Sequence, residues 1–391
     1  MTRMVTFVTP RYGSDVHGGA EQGARSLAVG LASEGWQVQV LTSCARSHVT
    51  WADEFAAGET EEEGVHVHRF RVDHPRDPDF DRLSDRLLPR ASEVSSDEAW
   101  DWIDRQGPSS TALLEAVAEV DRGVLGFYPY LYQPTARGLL RAQVPSVMHG
   151  ACHPEAALAL PVFDKVFGAA SAFAHHSRAE QDLVLDRFPH TRTRPQVVLG
   201  LPIEIDGPVD PDGARSALGL GEEPFAVVLG RVDIGKGTHE LVRRFSDYRA
   251  RTGRGRLVLA GPVIDPLPET EGVVVLGPVD AEHKFGLLAA ADVLINPSPH
   301  ESFSIVVPEA FLVGTPVLVN GWCLPLREHC ESSGGGLWYT GIADFEAAMD
   351  RILGSASLRE QMADSGRRYA ESFFSWDSVR NRYESLVSRL A

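Results

Sequence analysis

The chain has 391 residues, 43% of them hydrophobic and 23% charged, which is typical of globular proteins. Its 54 acidic and 37 basic residues give a formal net charge of -17, which argues against a nucleic-acid-binding protein and against simple docking on anionic lipid. At roughly 150 residues per domain, the length predicts two domains or three.

The sequence shows neither a membrane-spanning segment nor a secretion signal. No stretch reaches the roughly 20 apolar residues that a membrane span needs, and residues 1–9 form one short apolar run without a cleavage site. None of the four cysteines belongs to a CxxC pair, which argues against a zinc ribbon or a disulfide scaffold. We therefore expect a cytoplasmic protein with reduced thiols.

In the first half of the chain, short β-branched runs alternate with stretches of helical spacing. Strands are predicted at residues 4–9, 37–42, 65–70, 124–127 and 144–148, and a helix at 19–34. Residues 73–110 break this alternation with many Asp and Arg residues, two tryptophans, and leucines at helical spacing. They predict a helical insertion, which is either a solvated excursion or a lid or wall near an acceptor site.

A stretch rich in Pro, Gly and Asp, residues 201–213, predicts a linker, after which the same alternation resumes. Strands are predicted at residues 225–229, 256–260, 273–276, 293–295 and 317–319, and helices at 238–251, 281–290 and within 358–390. Near-continuous apolar strands that alternate with helices predict the α/β class, with parallel sheets covered on both faces.

The loop from Gly230 to Thr238 follows a predicted strand and precedes a helix. Its glycines let the backbone approach a ligand, and the helix start offers free N–H groups to an anion. Arg231 and Lys236 add two cations, in a chain that has only three lysines. The loop nearly matches a P-loop, but Gly237 stands where a hydroxyl would bind magnesium. This departure weakens an NTPase interpretation and retains a phosphate-binding one.

A second motif follows the strand predicted at 293–295 and contains two glutamates, Glu301 and Glu309. We place Glu301 before or at the start of a helix, with Ser302 and Ser304 as candidate N-caps, and Glu309 on a later turn. Two carboxylates beside free helix N–H groups suit a polyhydroxylated ligand and its phosphate. The alternative is a pair of surface glutamates.

Two further motifs are weaker on their own. Gly18 and Gly19 stand at a predicted helix start, where they permit close approach to an anion. His149 ends the strand predicted at 144–148, and is either a ligand contact or a satisfied buried histidine. Acidic DxD spacings occur only in Pro-rich loops, so we predict no metal site.

Taken together and in order, these motifs resemble the retaining glycosyltransferases of family 4, which have the GT-B fold. The resemblance spans nearly the whole chain. It rests on four motifs, namely Gly18-Gly19-Ala20-Glu21, His149-Gly150, Arg231 with Lys236, and the E-x7-E pair Glu301 and Glu309. It implies two Rossmann-like domains, residues 1–200 and 201–373, that face each other across a cleft. It also implies a last helix, 374–391, that packs back on the N-terminal domain.

The resemblance also implies roles for the motif residues. Arg231 and Lys236 would neutralise the diphosphate of a nucleotide sugar, and Glu309 would hold the ribose hydroxyls. Glu301 and the loop after it would hold the sugar and phosphate, a set that comprises Ser302, Phe303, Ser304, Ile305 and Val306. Gly18 and Gly19 would approach the diphosphate, and His149 would contact the sugar near the reacting carbon. The catalytic set is then His149, Arg231, Lys236 and Glu301.

The resemblance implies a hexosyltransferase that retains anomeric configuration and requires neither a metal nor another cofactor. A UDP-sugar is the first expectation for the donor and GDP-mannose the second. The acceptor is a sugar or small molecule, with a lipid-linked acceptor as an alternative. The competing interpretations are a nucleotide-sugar epimerase or hydrolase on the same frame, a P-loop ATPase, and an inactive protein that binds nucleotide or carbohydrate.

Overall fold

The computed structural model describes residues 3–16 and 18–390, and the chain divides into two compact units. The first unit comprises Met1–Pro202 and Val379–Ala391, and the second comprises Ile203–Ser378. The border between Pro202 and Ile203 lies in the stretch whose Pro, Gly and Asp content predicts a linker. Each unit is built around a largely parallel sheet flanked by helices, as the α/β class requires.

The first unit contains an eight-stranded sheet in the order β3-β4-β2-β1-β5-β6-β7-β8. Every neighbouring pair is parallel except β3 and β4, which are antiparallel. The strands are β1 (Met4–Val8), β2 (Gln37–Ser43), β3 (Gly58–Glu62), β4 (Val65–Phe70), β5 (Val124–Phe127), β6 (Ser146–Met148), β7 (Ala172–His175) and β8 (Gln196–Val198).

The helices of the first unit fill the connections between these strands. They are α1 (Gly19–Ser33), α2 (Phe80–Leu87), α3 (Ser96–Gln106), α4 (Thr111–Glu119), α5 (Gln133–Gly138), α6 (Val162–Ala169) and α7 (Arg178–Arg187). The segment 73–110 holds α2 and α3, and its Phe80, Leu83 and Trp102 are buried in the same apolar cluster as Phe127 and Met148 of the sheet. This segment is therefore a packed part of the unit rather than a solvated excursion.

The second unit contains a six-stranded, wholly parallel sheet in the order β11-β10-β9-β12-β13-β14. The strands are β9 (Phe225–Leu229), β10 (Arg256–Ala260), β11 (Val273–Gly277), β12 (Val293–Asn296), β13 (Val317–Asn320) and β14 (Gly336–Tyr339). The helices are α8 (Pro211–Ala217), α9 (Thr238–Thr252), α10 (Ala281–Ala290), α11 (Val306–Val313), α12 (Leu324–Ser333), α13 (Ile342–Gly354) and α14 (Ala356–Phe374).

The last helix, α15 (Trp376–Val387), contributes most of its length to the first unit. Tyr383 of this helix is fully buried, with its ring centroid 6.3 Å from that of Trp36 and 6.5 Å from that of Phe7. Within the described residues, no helix is both long and apolar enough to cross a membrane.

Four strands of the structure are not among those that the sequence pattern predicts. β7 (AFAH) and β14 (GLWY) contain no β-branched residue, and β8 (QVV) has only three residues. β3 has the sequence GETEE, whose acidic composition disfavours a strand. It forms because it pairs along β4 at an edge of the sheet, where charged side chains remain in solvent.

Candidate functional site

The loop after β9 approaches another backbone segment of the second unit closely. Gly237, the residue before α9, has a φ of 75°. A Cβ atom at Gly237 would lie 2.6 Å from the carbonyl oxygen of Pro297, in the turn after β12. Only glycine satisfies both constraints without strain. The start of α9 and the turn after β12 are thereby held together.

Asp233 organises the cationic part of this loop. This residue is 7% exposed, and its carboxylate accepts a hydrogen bond from the backbone N–H of Lys236 (2.6 Å). The side chain of Arg231, which is 51% exposed, lies 3.5 Å from the same carboxylate. The loop therefore presents two cations at the carboxyl edge of the sheet, where ligands bind in open α/β folds.

Lys236 and Glu301 lie side by side although 65 residues separate them in the sequence. Lys236 Nζ donates to Glu301 Oε1 at 2.7 Å, and both side chains remain partly accessible. The sequence motifs that carry these two residues thus converge on one place in the second unit. One cation and one carboxylate there can contact a ligand that carries both phosphate and hydroxyl groups.

The segment between β12 and α11 is held by two buried polar contacts. Asn296 Nδ2 donates to Ser304 Oγ (2.9 Å), and Nε2 of His329, on α12, lies 2.9 Å from the carbonyl oxygen of Phe303. Ser304 has a φ of 73°, an uncommon conformation for a residue with a side chain. These contacts fix the backbone that leads from Glu301 to the first turn of α11.

The prediction that Ser302 or Ser304 caps a helix is wrong. The helix begins at Val306, and the residue before it, Ile305, supplies no side-chain cap. Ser304 cannot serve because its hydroxyl is turned inward to Asn296. Without a side-chain cap, the N–H groups of the first turn stay available to an anion.

Glu309 lies in the first turn of α11, not on a later turn as expected. It is 4% exposed, and Lys284 Nζ, on α10, donates to its Oε1 at 2.5 Å. Burial raises the pKa of Glu309, and the adjacent Lys284 opposes that shift. The sequence analysis did not identify Lys284 as the partner of Glu309. The one feature that could have indicated it is that the chain has only three lysines.

In the first unit, Gly18 and Gly19 form the N-terminal boundary of α1 as predicted, while His17 lies outside the described residues. A Cβ atom at Gly18 would lie 2.1 Å from Oε2 of Glu21, so this glycine leaves space for the carboxylate. Glu21 is buried and accepts a hydrogen bond from Nε of Arg11 at 3.0 Å. The sequence indicated the glycines but gave no reason to pair Arg11 with Glu21.

His149 is fully buried in the first unit. Its ring stacks on Tyr128 with centroids 4.1 Å apart, and neither ring nitrogen has a hydrogen-bond partner among the described residues. Burial, followed by the nearby His176 and His175, lowers the pKa of His149 well below its usual range. The ring is therefore neutral and, in this conformation, exposes no atom to a ligand.

Glu180, on α7, is a buried residue that sequence reasoning did not single out. Its carboxylate accepts the backbone N–H groups of Cys152 (2.7 Å) and His176 (2.6 Å), which follow β6 and β7. Burial raises the pKa of Glu180 to about 7, while these hydrogen bonds act in the opposite direction. Glu180 therefore joins the loop that contains His149 to the neighbouring loop.

The structure also describes the hydroxyl nearest to the place where a P-loop binds magnesium. Thr238 is fully buried, and its Oγ1 has no hydrogen-bond partner among the described residues. A hydroxyl enclosed in this way is not available to an ion at the loop surface. Across the described part of the chain, no group of three or more His, Cys, Asp or Glu residues is placed to hold a metal ion.

Comparisons with known proteins connect this site to glycosyltransferases. Residues 223–355 match the family model described as Glycosyl transferases group 1. An uncharacterized glycosyltransferase of Methanocaldococcus jannaschii is 29% identical over 179 residues, which cover 42% of this chain and 45% of the relative. The D-inositol 3-phosphate glycosyltransferase of Nocardia farcinica is 27% identical over 379 residues, which cover 89% of this chain and 80% of the relative.

Among solved structures, HepE of Anabaena in complex with UDP and glucose superimposes with a TM-score of 0.66 at 16% identity. The superposition covers 99% of this chain and 100% of that one. This likeness, together with the two parallel-sheet units, shows that the protein has the GT-B fold. The match to the Methanocaldococcus relative spans less than half of that protein's length.

Proposed function

We propose that the protein is a glycosyltransferase that moves a sugar from a nucleotide-diphosphate sugar to the hydroxyl group of an acceptor. The observation that carries this proposal is the contact between Lys236 and Glu301 in the second unit. Arg231 lies on the same loop as Lys236, and the uncapped start of α11 follows Glu301 after five residues. The match of residues 223–355 to the glycosyltransferase model covers all of these groups.

The chemistry of the transfer explains why such groups would be gathered. When the bond between sugar and diphosphate breaks, negative charge develops on the leaving phosphate. The cations of Arg231 and Lys236 and the N–H groups at the start of α11 are fixed donors that stabilise such charge. Because Asp233 and Glu301 hold the two cations before a substrate arrives, little reorganisation is needed during the reaction.

We place the donor on the second unit. The diphosphate lies between the loop of Arg231 and Lys236 and the first turn of α11, with the backbone from Ser302 to Val306 beside the sugar and phosphate. Glu301 accepts hydrogen bonds from the sugar hydroxyls, and Glu309 accepts them from the ribose. The contacts of Gly18 and Gly19 with the diphosphate and of His149 with the sugar remain predictions, and the latter requires the His149 ring to leave the fully buried position that it has in this structure.

The finer properties also belong to the proposal. A UDP-sugar is the preferred donor, since HepE of Anabaena was solved with UDP and glucose, and GDP-mannose is the second candidate. The transfer is expected to retain the anomeric configuration and to proceed without a metal ion. An NMR spectrum of the product showing an inverted anomeric linkage would contradict retention.

For the acceptor we favour a soluble polyhydroxylated molecule, with a lipid-linked acceptor as the alternative. A relative that matches most of the chain is named as a D-inositol 3-phosphate glycosyltransferase, which supports a polyol acceptor.

The first experiment is calorimetric titration of the protein with UDP, GDP, ADP and ATP, with and without magnesium. We expect one diphosphate to bind without magnesium and to lose its affinity in Lys236→Ala. A magnesium-dependent preference for ATP would instead favour a P-loop enzyme, although the buried hydroxyl of Thr238 argues against it.

The second experiment identifies the products formed from the matching nucleotide sugar. Release of the diphosphate only when an acceptor is present supports a transferase. Release of free sugar would indicate a hydrolase, and a new nucleotide sugar an epimerase. Nucleotide binding without any turnover would indicate an inactive binding protein.

A further inference from the structure

Lys284 and Glu309 form an ion pair inside the second unit whose geometry is asymmetric. Lys284 Nζ donates to Oε1 of Glu309 at 2.5 Å. Among the residues that the structure describes, none donates a hydrogen bond to Oε2 of Glu309. One carboxylate oxygen is therefore occupied and the other is left to accept further hydrogen bonds.

The environment makes this pair more consequential than a surface salt bridge. The side chain of Glu309 is only 5% exposed, whereas that of Lys284 is 28% exposed. Among the described residues, Lys284 and Asp206 are the charged groups whose fields act on Glu309, and Asp206 opposes ionisation. Removing Lys284 would leave a buried carboxylate beside a second acid, a situation that strongly favours its neutral form.

The position of Glu309 near the start of α11 indicates which ligand group its Oε2 atom can bind. Glu309 lies in the first turn of α11, three residues beyond the first N–H groups that we assign to the phosphate. A carboxylate this close to a bound diphosphate is well placed for the ribose of the same nucleotide. An ionised carboxylate accepts hydrogen bonds from a pair of hydroxyls, whereas a protonated carboxyl uses one oxygen as a donor.

We propose that Lys284 is a positioning residue that determines the sugar specificity of the nucleotide site. By holding one oxygen of Glu309 in a fixed ion pair, it leaves the second oxygen to the vicinal 2′- and 3′-hydroxyls of ribose, so that the site selects ribonucleotides over 2′-deoxyribonucleotides. The inference rests on the proposed function, because it requires a nucleoside diphosphate at this site.

The test compares the affinities of UDP and 2′-deoxy-UDP by calorimetry, or those of GDP and 2′-deoxy-GDP if guanine is the preferred base. A hydrogen bond to a charged group contributes on the order of a tenfold change in affinity or more. We expect the unaltered protein to prefer the ribonucleotide by about that factor. In Lys284→Met, ribonucleotide affinity should fall to near the 2′-deoxyribonucleotide affinity, which itself changes little.

The pH dependence separates this positioning role from a general loss of structure. In the unaltered protein, the ratio of the two affinities should stay constant between pH 6 and 8.5. In Lys284→Met, the ratio should be close to one at pH 6 and rise with pH as Glu309 loses its proton. Lys284→Arg, which keeps a cation at this position, should restore most of the preference at all of these pH values.

Lys165 provides the matched control, because it is an exposed lysine of the first unit that is far from this site in the sequence. Lys165→Met should leave both affinities and the melting temperature unchanged. In a protein that already carries Lys284→Met, adding Glu309→Gln should cause little further loss at pH 6, since the two residues act as one unit.

The outcomes distinguish this inference from the proposed function. An unchanged ratio in Lys284→Met at every pH would overturn the role of Lys284, and so would an equal loss of both affinities, while the nucleotide site itself would stand. If the unaltered protein binds none of the diphosphates, the proposed function fails and this inference fails with it.

Discussion

At the scale of single residues, the charge of Lys236 is already engaged before a substrate binds. Its ammonium group donates to Glu301 at 2.7 Å, and the side chain is about one-third exposed. An exposed or half-exposed ion pair of this kind contributes only about 0 to 1 kcal/mol to stability. The ion pair matters instead because it fixes the position of the Lys236 ammonium group. The cation is then already in place to stabilise the negative charge that develops on the phosphate.

We therefore expect Lys236→Ala to affect turnover far more than folding. Loss of one preorganised donor typically raises a reaction barrier by about 2.7 to 4 kcal/mol, which corresponds to a turnover roughly 100-fold lower or more. The urea midpoint should change little. Initial rates of diphosphate release test this, with Lys165→Ala as the control. Near-normal turnover in Lys236→Ala would rule out its assignment to the diphosphate.

At the scale of elements, the start of α9 and the turn after β12 are joined through one glycine, Gly237. Gly237 precedes α9, and its Cα lies so close to the Pro297 carbonyl, in the turn that leads toward α11, that no side chain fits between them. The loop with the cations and the segment with the glutamates are thus held in one arrangement. The same helix ends at Gly253, whose φ is 67° but which has open space around it.

These two glycines allow backbone strain to be separated from steric contact. Gly253→Ala should cost about 1 to 2 kcal/mol of stability, the usual cost of a left-handed conformation for a residue with a side chain. It should leave nucleotide binding intact. Gly237→Ala carries the same strain and also pushes the turn at Pro297 away, so it should lower stability further and weaken binding. Urea unfolding and calorimetry measure both effects, and equal behaviour of the two variants would refute the contact.

At the scale of the whole molecule, stability depends on pH through buried histidines and a buried glutamate that stay uncharged in the native protein at mildly acidic pH. Burial lowers the pKa of His175, His176 and His329 to about 4 each, and that of His149 well below its usual range. Above the unfolded pKa near 6.5, these histidines are neutral in both the native and the unfolded chain and do not lower the stability. As the pH falls from 6.5 toward 4, they become protonated in the unfolded chain only, and the native state loses stability relative to it. Glu180 acts in the opposite sense, because its pKa of about 7 lies above the unfolded value.

The balance of these groups predicts how stability varies with pH. Between about pH 4.5 and 6.5 the unfolded chain takes up protons on four histidines, whereas the native chain holds one on Glu180. Stability should therefore fall as the pH falls, by as much as about 4 kcal/mol per pH unit. Urea midpoints from pH 5 to pH 8 test this, and His329→Gln should reduce the slope by about a third, because it removes one of the net three protons. Midpoints that rise steadily toward pH 5 would contradict the prediction.

The sequence by itself determined most of the elements and the places where chemistry is concentrated. Apolar runs such as 225–229 and 256–260 predicted their strands to the residue, because a buried parallel strand needs little beyond a continuous apolar stretch. Loops rich in glycine after such strands, as at Gly230, indicated the edge of the sheet where ligands bind. These features follow from neighbouring residues, so local reasoning reaches them.

Only the tertiary structure decided which groups meet and which are closed to solvent. Glu301 contacts Lys236, which is 65 residues away in the sequence, and Glu309 contacts Lys284, which is 25 residues away. No local sequence pattern predicts such pairs. Burial of His149 depends on rings contributed by distant segments, among them Tyr383 near the end of the chain. Charge pairing and desolvation are set by neighbours in space, and for that reason the fold was needed to define this site.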